Sequence, residues 1–320
     1  MPTTDELCHS IRAYHRERLF WMDQRKRLAN ALGAFLRRAE GWNRDLPAKE
    51  QNAILTRVSA AVKAGERCIK TGELPDDNDL FNKFDDLIIE SLRGRAPFER
   101  MEHQALLAMN RLVRKLPVWT AWGVDIKGLG EASLGTIVGE AGNLSNFATH
   151  SKLWKRMGLA VIDGVRQGGL KSNASAEKWI AHGYSGQRRS FVFVIGEVMI
   201  RGGTYRAIYD SAKEFERAKA VAAGKIVEPA SARTKADPEH FISDGHIHKR
   251  AQRKMEKRLL RDLWRAWNAA EARDELSANA AEDAVPDAAA DEATASKHMP
   301  SKAVTLMPDF VRTPSPQTGV

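Results

Sequence analysis

A glycine-containing turn is the most specific local signal in the sequence. Residues 124–138 read VDIKGLGEASLGTIV, with Gly128 and Gly130 on either side of an apolar residue between two short predicted helices. Such a turn lets backbone N–H groups and a helix N-terminus approach a phosphate. The pattern predicts a helix-hairpin-helix that contacts a nucleic-acid backbone through Lys127, Gly128 and Gly130. An ordinary helix connection is the alternative, and the glycine spacing does not fit a dinucleotide-binding fingerprint.

A strongly basic segment follows late in the chain, at residues 244–268. Its apolar residues recur every four positions, which predicts one helix with an apolar ridge: Ile247, Ala251, Met255, Leu259, Leu263 and Trp267. Eight lysines and arginines share the remaining surface with Glu256 and Asp262. We expect phosphate contacts there rather than only a solvated face, and these are the candidate residues: Lys249, Arg250, Arg253, Lys257 and Arg261.

Two further segments combine glycines with cations. Residues 164–171 read GVRQGGLK and residues 182–190 read HGYSGQRRS. Because the fork of an arginine matches phosphate oxygens, these segments predict a phosphate-binding surface, with a flexible basic loop as the alternative. The candidates are Arg166, Lys171, Arg188 and Arg189.

We expect neither a metal site nor a cofactor. His246 and His248 point to opposite sides of a helix start, and His240 is the only nearby third ligand. The aspartates of residues 76–86 lack the glycine and the final glutamate of a calcium loop, and helix capping explains them better: Asp76, Asp77, Asp79, Asp85 and Asp86. The two cysteines, Cys8 and Cys68, form neither a disulfide framework nor a zinc motif.

The charge is divided unevenly along the chain. The net charge is +9, but residues 269–320 hold nine acidic and four basic residues, a net of −5, which leaves +14 on residues 1–268. The basic part indicates a polyanionic partner. The composition after residue 268 is rich in Ala, Asp, Glu, Ser and Pro, which predicts an acidic disordered tail over 269–320.

The elements that must position these residues are predicted to be helices. Residues 5–40 carry an apolar seam with three- and four-residue spacing, from Leu7 to Phe35, through Ile11, Tyr14, Trp21, Leu28 and Leu32. Arg18 and Arg25 occupy two seam positions, which favours a coiled coil with a second copy over a sealed core. An amphipathic helix packed within its own domain is the alternative.

Further helices are expected at 48–70, 79–115, 203–222 and 244–268, with a loop at 224–243. Residues 187–201 are expected to form a helix, with a buried strand as the alternative. The fold class is therefore mostly α, with a helical and coiled-coil region at 1–115, a DNA-binding region with the helix-hairpin-helix at 116–268, and the tail. The most apolar run, residues 191–200, is interrupted by Gly196 and Glu197, so no membrane span and no membrane partner are expected. Without a secretory signal at residues 1–12, a cytoplasmic location is expected.

In this order, the motifs resemble the Piv/MooV-type insertion-sequence transposases, the insertion-sequence one-hundred-ten family. The segment HRERLFWMDQRKRLANALGAFLRR, residues 15–38, resembles the family's connecting helix. Residues 126–130 with 138–147 resemble its "IPGIG … LAEIGDLSRF", residues 152–159 its "A.Y.GL", and residues 245–249 its "GK.H". The resemblance covers residues 5–40 and 105–268, and it implies DNA transposition or site-specific recombination.

Two family features have no counterpart in this sequence. One is the N-terminal RuvC-like domain with its four metal-binding acids. The other is the nucleophilic serine of an "RQSGGK"-like segment, because the matching residues here read Arg166-Gln167-Gly168-Gly169. Ser185 is the nearest replacement that the resemblance offers.

Three functions remain open at this point. The first is a DNA-binding protein of transposase type without a catalytic serine of its own, with DNA as its partner, structured RNA as a further partner, and self-association through Leu7–Phe35. The second is an active DNA recombinase that uses a site outside the family pattern. The third is a helical protein-interaction scaffold.

Overall fold

The computed structural model describes residues 2–74, 78–170, 173–229 and 239–283. The described chain is mostly α-helical, as predicted. The disordered tail is predicted from residue 269, but the helix that begins at Asp244 continues to Asp283, because Ala270 still packs into the core. The chain divides into two units after residue 275. The helices are α1 (Thr4–Ala39), α2 (Ala48–Thr71), α3 (Asp79–Lys83), α4 (Asp85–Val113), α5 (Pro117–Ala121), α6 (Glu131–Ala141), α7 (His150–Arg156), α8 (Ala176–His182), α9 (Gly186–Ile200), α10 (Arg206–Ala222) and α11 (Asp244–Asp283).

Two small sheets were not predicted. β1 (Val161–Ile162) pairs antiparallel with β2 (Val165–Arg166), and β3 (Ile226–Glu228) pairs parallel with β4 (Phe241–Ser243). The second pair lies in the segment predicted as a loop, because a three-residue strand gives too short an alternation to read. The prediction for 187–201, which weighed a helix against a strand, is resolved as the helix α9.

Helix α1 begins and ends at residues that stop a helix from extending. The Thr3 hydroxyl accepts a hydrogen bond from the Glu6 backbone N–H, and the Glu6 carboxylate accepts one from the Thr3 backbone N–H, which forms a capping box. Gly41 follows the helix with φ +77°, a conformation that suits glycine. The helix is 36 residues long and packs along α4 and against α6.

The partner of α1 within the structure is therefore α4 of the same chain. Leu7, Ile11 and Leu32 of the predicted seam are buried, whereas Leu28 and Phe35 are 37% and 46% exposed. Part of the seam is thus buried within the chain, and another part, which includes Tyr14, Leu28 and Phe35, is exposed. The self-association predicted for Leu7–Phe35 would have to use this exposed part.

The arginines of the seam have different surroundings. Arg25 Nε donates to Glu102 Oε2 of α4 at 2.9 Å, so an acid of the same chain neutralises it. The expectation that an arginine in the seam requires a second copy is therefore wrong for Arg25. The Nε atom of Arg18 is buried without a hydrogen-bond partner in the described part of the chain.

Two large hydrophobic clusters of the described residues hold the first unit together, beside a third that comprises the buried Ala220, Ile242 and Ile247. The smaller of the two large clusters joins the end of α1 to α2, α3 and the start of α4, around Phe81 and Ile88. The larger one joins the start of α1 to the end of α4, to α6, α7, α9, α10 and to α11. The six ridge residues predicted for α11 are each at most 1% exposed, so the ridge at i+4 spacing is confirmed. No helix in the described ranges is long and apolar enough to cross a membrane.

Candidate nucleic-acid interface

The glycine turn lies between α5 and α6, against the end of α9. Gly128 has φ +95°, and a Cβ atom there would lie 3.2 Å from Gly203 Cα and from Met199 Sδ. The Lys127 carbonyl accepts a hydrogen bond from Thr204 N at 2.9 Å, and Leu129 is buried. Gly128 is therefore needed for the packing of this turn, whatever else the turn contacts.

The first turn of α6 already has a negative charge beside it. The Glu131 carboxylate accepts a hydrogen bond from its own backbone N–H and another from Arg114 Nε at 2.9 Å, and these bonds lower the pKa of Glu131. Because a phosphate would compete with this carboxylate for the helix N-terminus, the turn is a weaker anion site than the sequence indicated. The helix-hairpin-helix function stays a prediction.

The structure brings the predicted cations of three other segments together. Helix α9 begins after Ser185, whose hydroxyl accepts a hydrogen bond from the Arg188 backbone N–H and caps the helix. This places Arg188 and Arg189 in its first turns, and Arg253 of α11 lies close enough to Arg189 and to Arg166 of β2 for their charges to act on it. We call these four residues, together with Arg12 and Arg156, the arginine cluster.

One half of the arginine cluster surrounds a buried acid. Glu256 is 0% exposed, and Arg189 Nη2 lies 3.0 Å from its Oε2 atom. Burial raises the pKa of Glu256 to about 7, against the opposing effect of Arg189 and Arg253. Burial, together with the charges of Arg189 and Arg166, holds the pKa of Arg253 below its ordinary value. This half of the cluster therefore has more positive charge than its single acid can neutralise.

The other half is organised around Glu140 at the end of α6. Its carboxylate lies 3.1 Å from Arg188 Nε and 3.1 Å from Nε2 of the buried His15. Arg156 donates two hydrogen bonds to the Glu140 backbone carbonyl. Burial, together with the charges of Arg188 and Arg12, lowers the pKa of Arg156. In total, the cluster holds six guanidinium groups, and two of them, those of Arg188 and Arg189, contact its two carboxylates directly.

The cations of α11 are not one uniform basic face. Arg250 and Lys254 contact Glu216 of α10, which is only 8% exposed in its side chain, and Arg258 and Arg261 contact Asp262. The predicted surface, with eight cations against Glu256 and Asp262, was wrong in two respects. Glu216 of another helix adds an acid to it, and Glu256 is buried and does not belong to it. Lys249 is exposed at the start of the helix, near His246.

Eight of the candidate residues form two groups. Arg166, Arg188, Arg189 and Arg253 lie in the cluster, and Lys257 extends it along α11. Lys127, Gly128 and Gly130 lie near the C-terminal end of α9, whereas the arginines lie at its first turn. At 1.5 Å per residue, this end of the helix is about 15 Å from the first turn. Lys171 lies outside the described residues, as do Asp76 and Asp77.

Gln167 and Gly168 stand where the family that the motifs resemble has its serine, and Gln167 has a structural role in this chain. Gln167 is 2% exposed, and its amide accepts a hydrogen bond from the Ala160 backbone N–H and donates to the carbonyls of Lys155 and His182. The side chain therefore ties the β1–β2 hairpin to α7 and α8. It is directed into the protein rather than toward a substrate.

Sequence reasoning missed Arg12, Arg156, Glu140 and the burial of Glu256. The last of these had a signal, because residues 252, 256 and 260 repeat every four positions beside the apolar ridge. The others come from segments far apart in sequence and become neighbours only in the fold. Among the described residues, no group of three or more His, Cys, Asp or Glu side chains could hold a metal ion.

Comparison of the chain with protein-family models, with curated proteins and with solved structures finds no match.

Proposed function

We propose that this chain is a nucleic-acid-binding protein of transposase type that holds the phosphodiester backbone in its arginine cluster. The observation that carries the proposal is the excess of charge there, six guanidinium groups against Glu140 and the buried Glu256. Phosphate oxygens accept two parallel hydrogen bonds from an arginine fork, and a bound phosphate would relieve the repulsion that, together with burial, lowers the pKa values of Arg156 and Arg253.

Contacts of this kind hold a duplex without reading its sequence. The cluster presents guanidinium groups, which match phosphates, and binding that releases counterions weakens steeply with salt. We therefore expect DNA binding with little sequence preference. The transposase part of the proposal rests on the order of the motifs in residues 5–40 and 105–268. Since neither Gln167 nor Gly168 carries a hydroxyl, and Gln167 is buried and hydrogen-bonded within the protein, we propose that binding does not depend on a serine at these positions.

The test is a fluorescence-anisotropy titration of the full chain with duplex DNA over a salt series. The variant Arg166→Ala, Arg253→Ala should bind more weakly on every duplex and should lower the slope of log affinity against log salt by about 0.9 for each lost phosphate contact. The matched control is Arg27→Ala, Arg93→Ala, which removes two exposed arginines that pair with acids of their own helices. An affinity independent of salt would refute the proposal and would favour a protein-interaction scaffold.

One observation favours a second candidate, an active recombinase. The half-buried Ser185 precedes two members of the cluster, Arg188 and Arg189, by three and four residues, where arginines could stabilise charge on an attacked phosphodiester. A nicking assay on supercoiled DNA tests it, with Ser185→Ala as the variant. Ser175→Ala is the control, because Ser175 caps α8 in the same way and its loss would cost a similar stability. Cleavage that survives Ser185→Ala, or no cleavage by the wild type, excludes Ser185 as the nucleophile.

A further inference from the structure

Three aromatic side chains form a small surface beside the arginine cluster. The His150 ring lies 4.6 Å from Trp154 and 5.9 Å from Trp264, measured between ring centroids. All three side chains are half-buried, so part of each remains accessible to solvent. We call these three residues the aromatic platform.

The two indoles are fixed in place by hydrogen bonds to the backbone. Trp154 Nε1 donates to the Lys257 carbonyl at 2.9 Å, and Trp264 Nε1 donates to the Phe147 carbonyl at 2.9 Å. Both rings also pack against the larger hydrophobic cluster. Because their polar atoms are satisfied within the protein, what they offer a ligand is a rigid ring surface.

Cations of α11 border the platform. Lys257 Nζ lies 5.0 Å from the Trp154 ring centroid. Burial and the charges of Arg261 and Arg265 lower the pKa of His150, which keeps the imidazole neutral near pH 7. Residues 253, 257, 261 and 265 are all Lys or Arg and follow one side of α11 at about 6 Å per step. This row connects the arginine cluster to the platform.

A second lysine beside an aromatic ring, on another side of α11, has different charges around it. Lys254 Nζ lies 4.1 Å from the Phe215 ring centroid, which is also an exposed aromatic ring beside a lysine. There, however, Glu216 binds both Lys254 and Arg250 and would repel a phosphate. In the row beside the platform, Arg261 Nε lies 3.5 Å from Asp262 Oδ1, whereas Glu216 binds both cations at Phe215. The two sites therefore differ in the charge around the rings.

We propose that the aromatic platform stacks an unpaired base of a single-stranded nucleic acid whose phosphates follow the row Arg253, Lys257, Arg261 and Arg265. Aromatic rings that accept bases of any sequence, next to cations that follow the backbone, are the usual elements of single-strand binding. Bases inside a duplex are stacked on each other, so they cannot use the platform without leaving the helix. The inference rests on the proposed function and names the form of nucleic acid that this site holds.

The first experiment leaves the protein unchanged. Wild-type chain is titrated with a single-stranded oligothymidylate and with an abasic strand of the same length, which has the same phosphates and no bases. One stacked base should make the oligothymidylate bind about 5- to 100-fold tighter. Equal affinity for the two strands overturns the proposal.

The second experiment assigns the effect to the platform. His150→Ala and, separately, Trp154→Leu should weaken oligothymidylate binding about 5- to 100-fold and leave duplex and abasic-strand binding unchanged. Phe215→Ala is the matched control and should bind all three like the wild type. Circular dichroism and thermal unfolding verify that each variant is folded. Equal losses on duplex and single strand, in a folded variant, would show a structural role and would overturn the stacking.

The two proposals fail in different ways. If duplex binding is salt-dependent and sensitive to Arg166→Ala, Arg253→Ala while the abasic strand binds as well as the oligothymidylate, only the base-stacking inference is wrong. If the wild type binds neither duplex nor single strand, the proposed function is wrong and the inference is refuted with it.

Discussion

Glu256 offers the sharpest test of the electrostatics at the arginine cluster. Its carboxyl is fully buried, and burial raises its pKa to about 7 from an ordinary value of 4.5. The folded state therefore favours the protonated form. The free energy of unfolding should be highest below the unfolded pKa, fall as pH rises from about 4.5 to about 7, and stay level above it. At about 1.4 kcal/mol per pKa unit, the full fall is about 3 kcal/mol.

The perturbation is Glu256→Gln, which keeps the shape and removes the titration. Urea unfolding at a series of pH values gives the difference in unfolding free energy between the wild type and the variant. We expect that difference to change by about 3 kcal/mol in favour of Glu256→Gln between pH 4.5 and pH 7.5, even though Arg189 loses an anionic partner at the upper end.

The control is a buried acid with the opposite shift. Burial of Glu216 opposes ionisation, but its contacts with Lys254 and Arg250 outweigh burial and lower its pKa. The stability that this carboxylate contributes is present above pH 4.5 and is lost as pH falls through the lowered pKa. The Glu216→Gln difference should therefore have the opposite sign of pH dependence. Parallel pH profiles for the wild type and Glu256→Gln would refute the reasoning about Glu256.

Three further outcomes are expected. Gly128→Ala should destabilise the protein by about 1–3 kcal/mol in thermal unfolding, because φ is +95° and a Cβ atom would lie 3.2 Å from Gly203 Cα. Gly130→Ala has open space around it and should leave the stability unchanged. A loss of duplex affinity in folded Gly130→Ala would support the helix-hairpin-helix contact. Leu28→Asp with Phe35→Asp should give a smaller species in light scattering if α1 joins two copies, while a wild type that is monomeric at high micromolar concentration would contradict the self-association. Deleting residues 276–320, which hold six acidic and three basic residues, should tighten duplex binding at low salt more than at high salt, and equal affinities would contradict competition by the tail.

The sequence predicted those parts of the fold that depend on a local period. The ridge of α11 and the length of α1 follow from three- and four-residue spacing, which any helix must satisfy to bury one side. The division of residues 79–115 into α3 and α4 at Phe84 was not predicted, because the two helices form a nearly continuous polar and apolar pattern. The short strands were missed for lack of length.

The candidate site was predicted in part for the same reason. Local windows found Arg166, Arg188, Arg189 and Arg253, since each stands in a visibly basic segment. They could not show that Arg156 joins them, nor which acids lie beneath. Ion pairing is decided by residues far apart in sequence, as Glu216 and Lys254 illustrate, so charge counted on one helix overestimates the free charge of its surface.

The three hydrogen bonds of Gln167 have a consequence for any attempt to introduce chemistry at that position. A serine at position 167 would be too short to reach Ala160, Lys155 and His182 together. Losing the buried hydrogen bond to the His182 carbonyl would cost about 1–3 kcal/mol, besides the cavity that the shorter side chain would leave. A single substitution would thus exchange a firmly joined hairpin for a hydroxyl pointing into the protein interior. A reactive serine at position 167 would require a rebuilt β1–β2 hairpin.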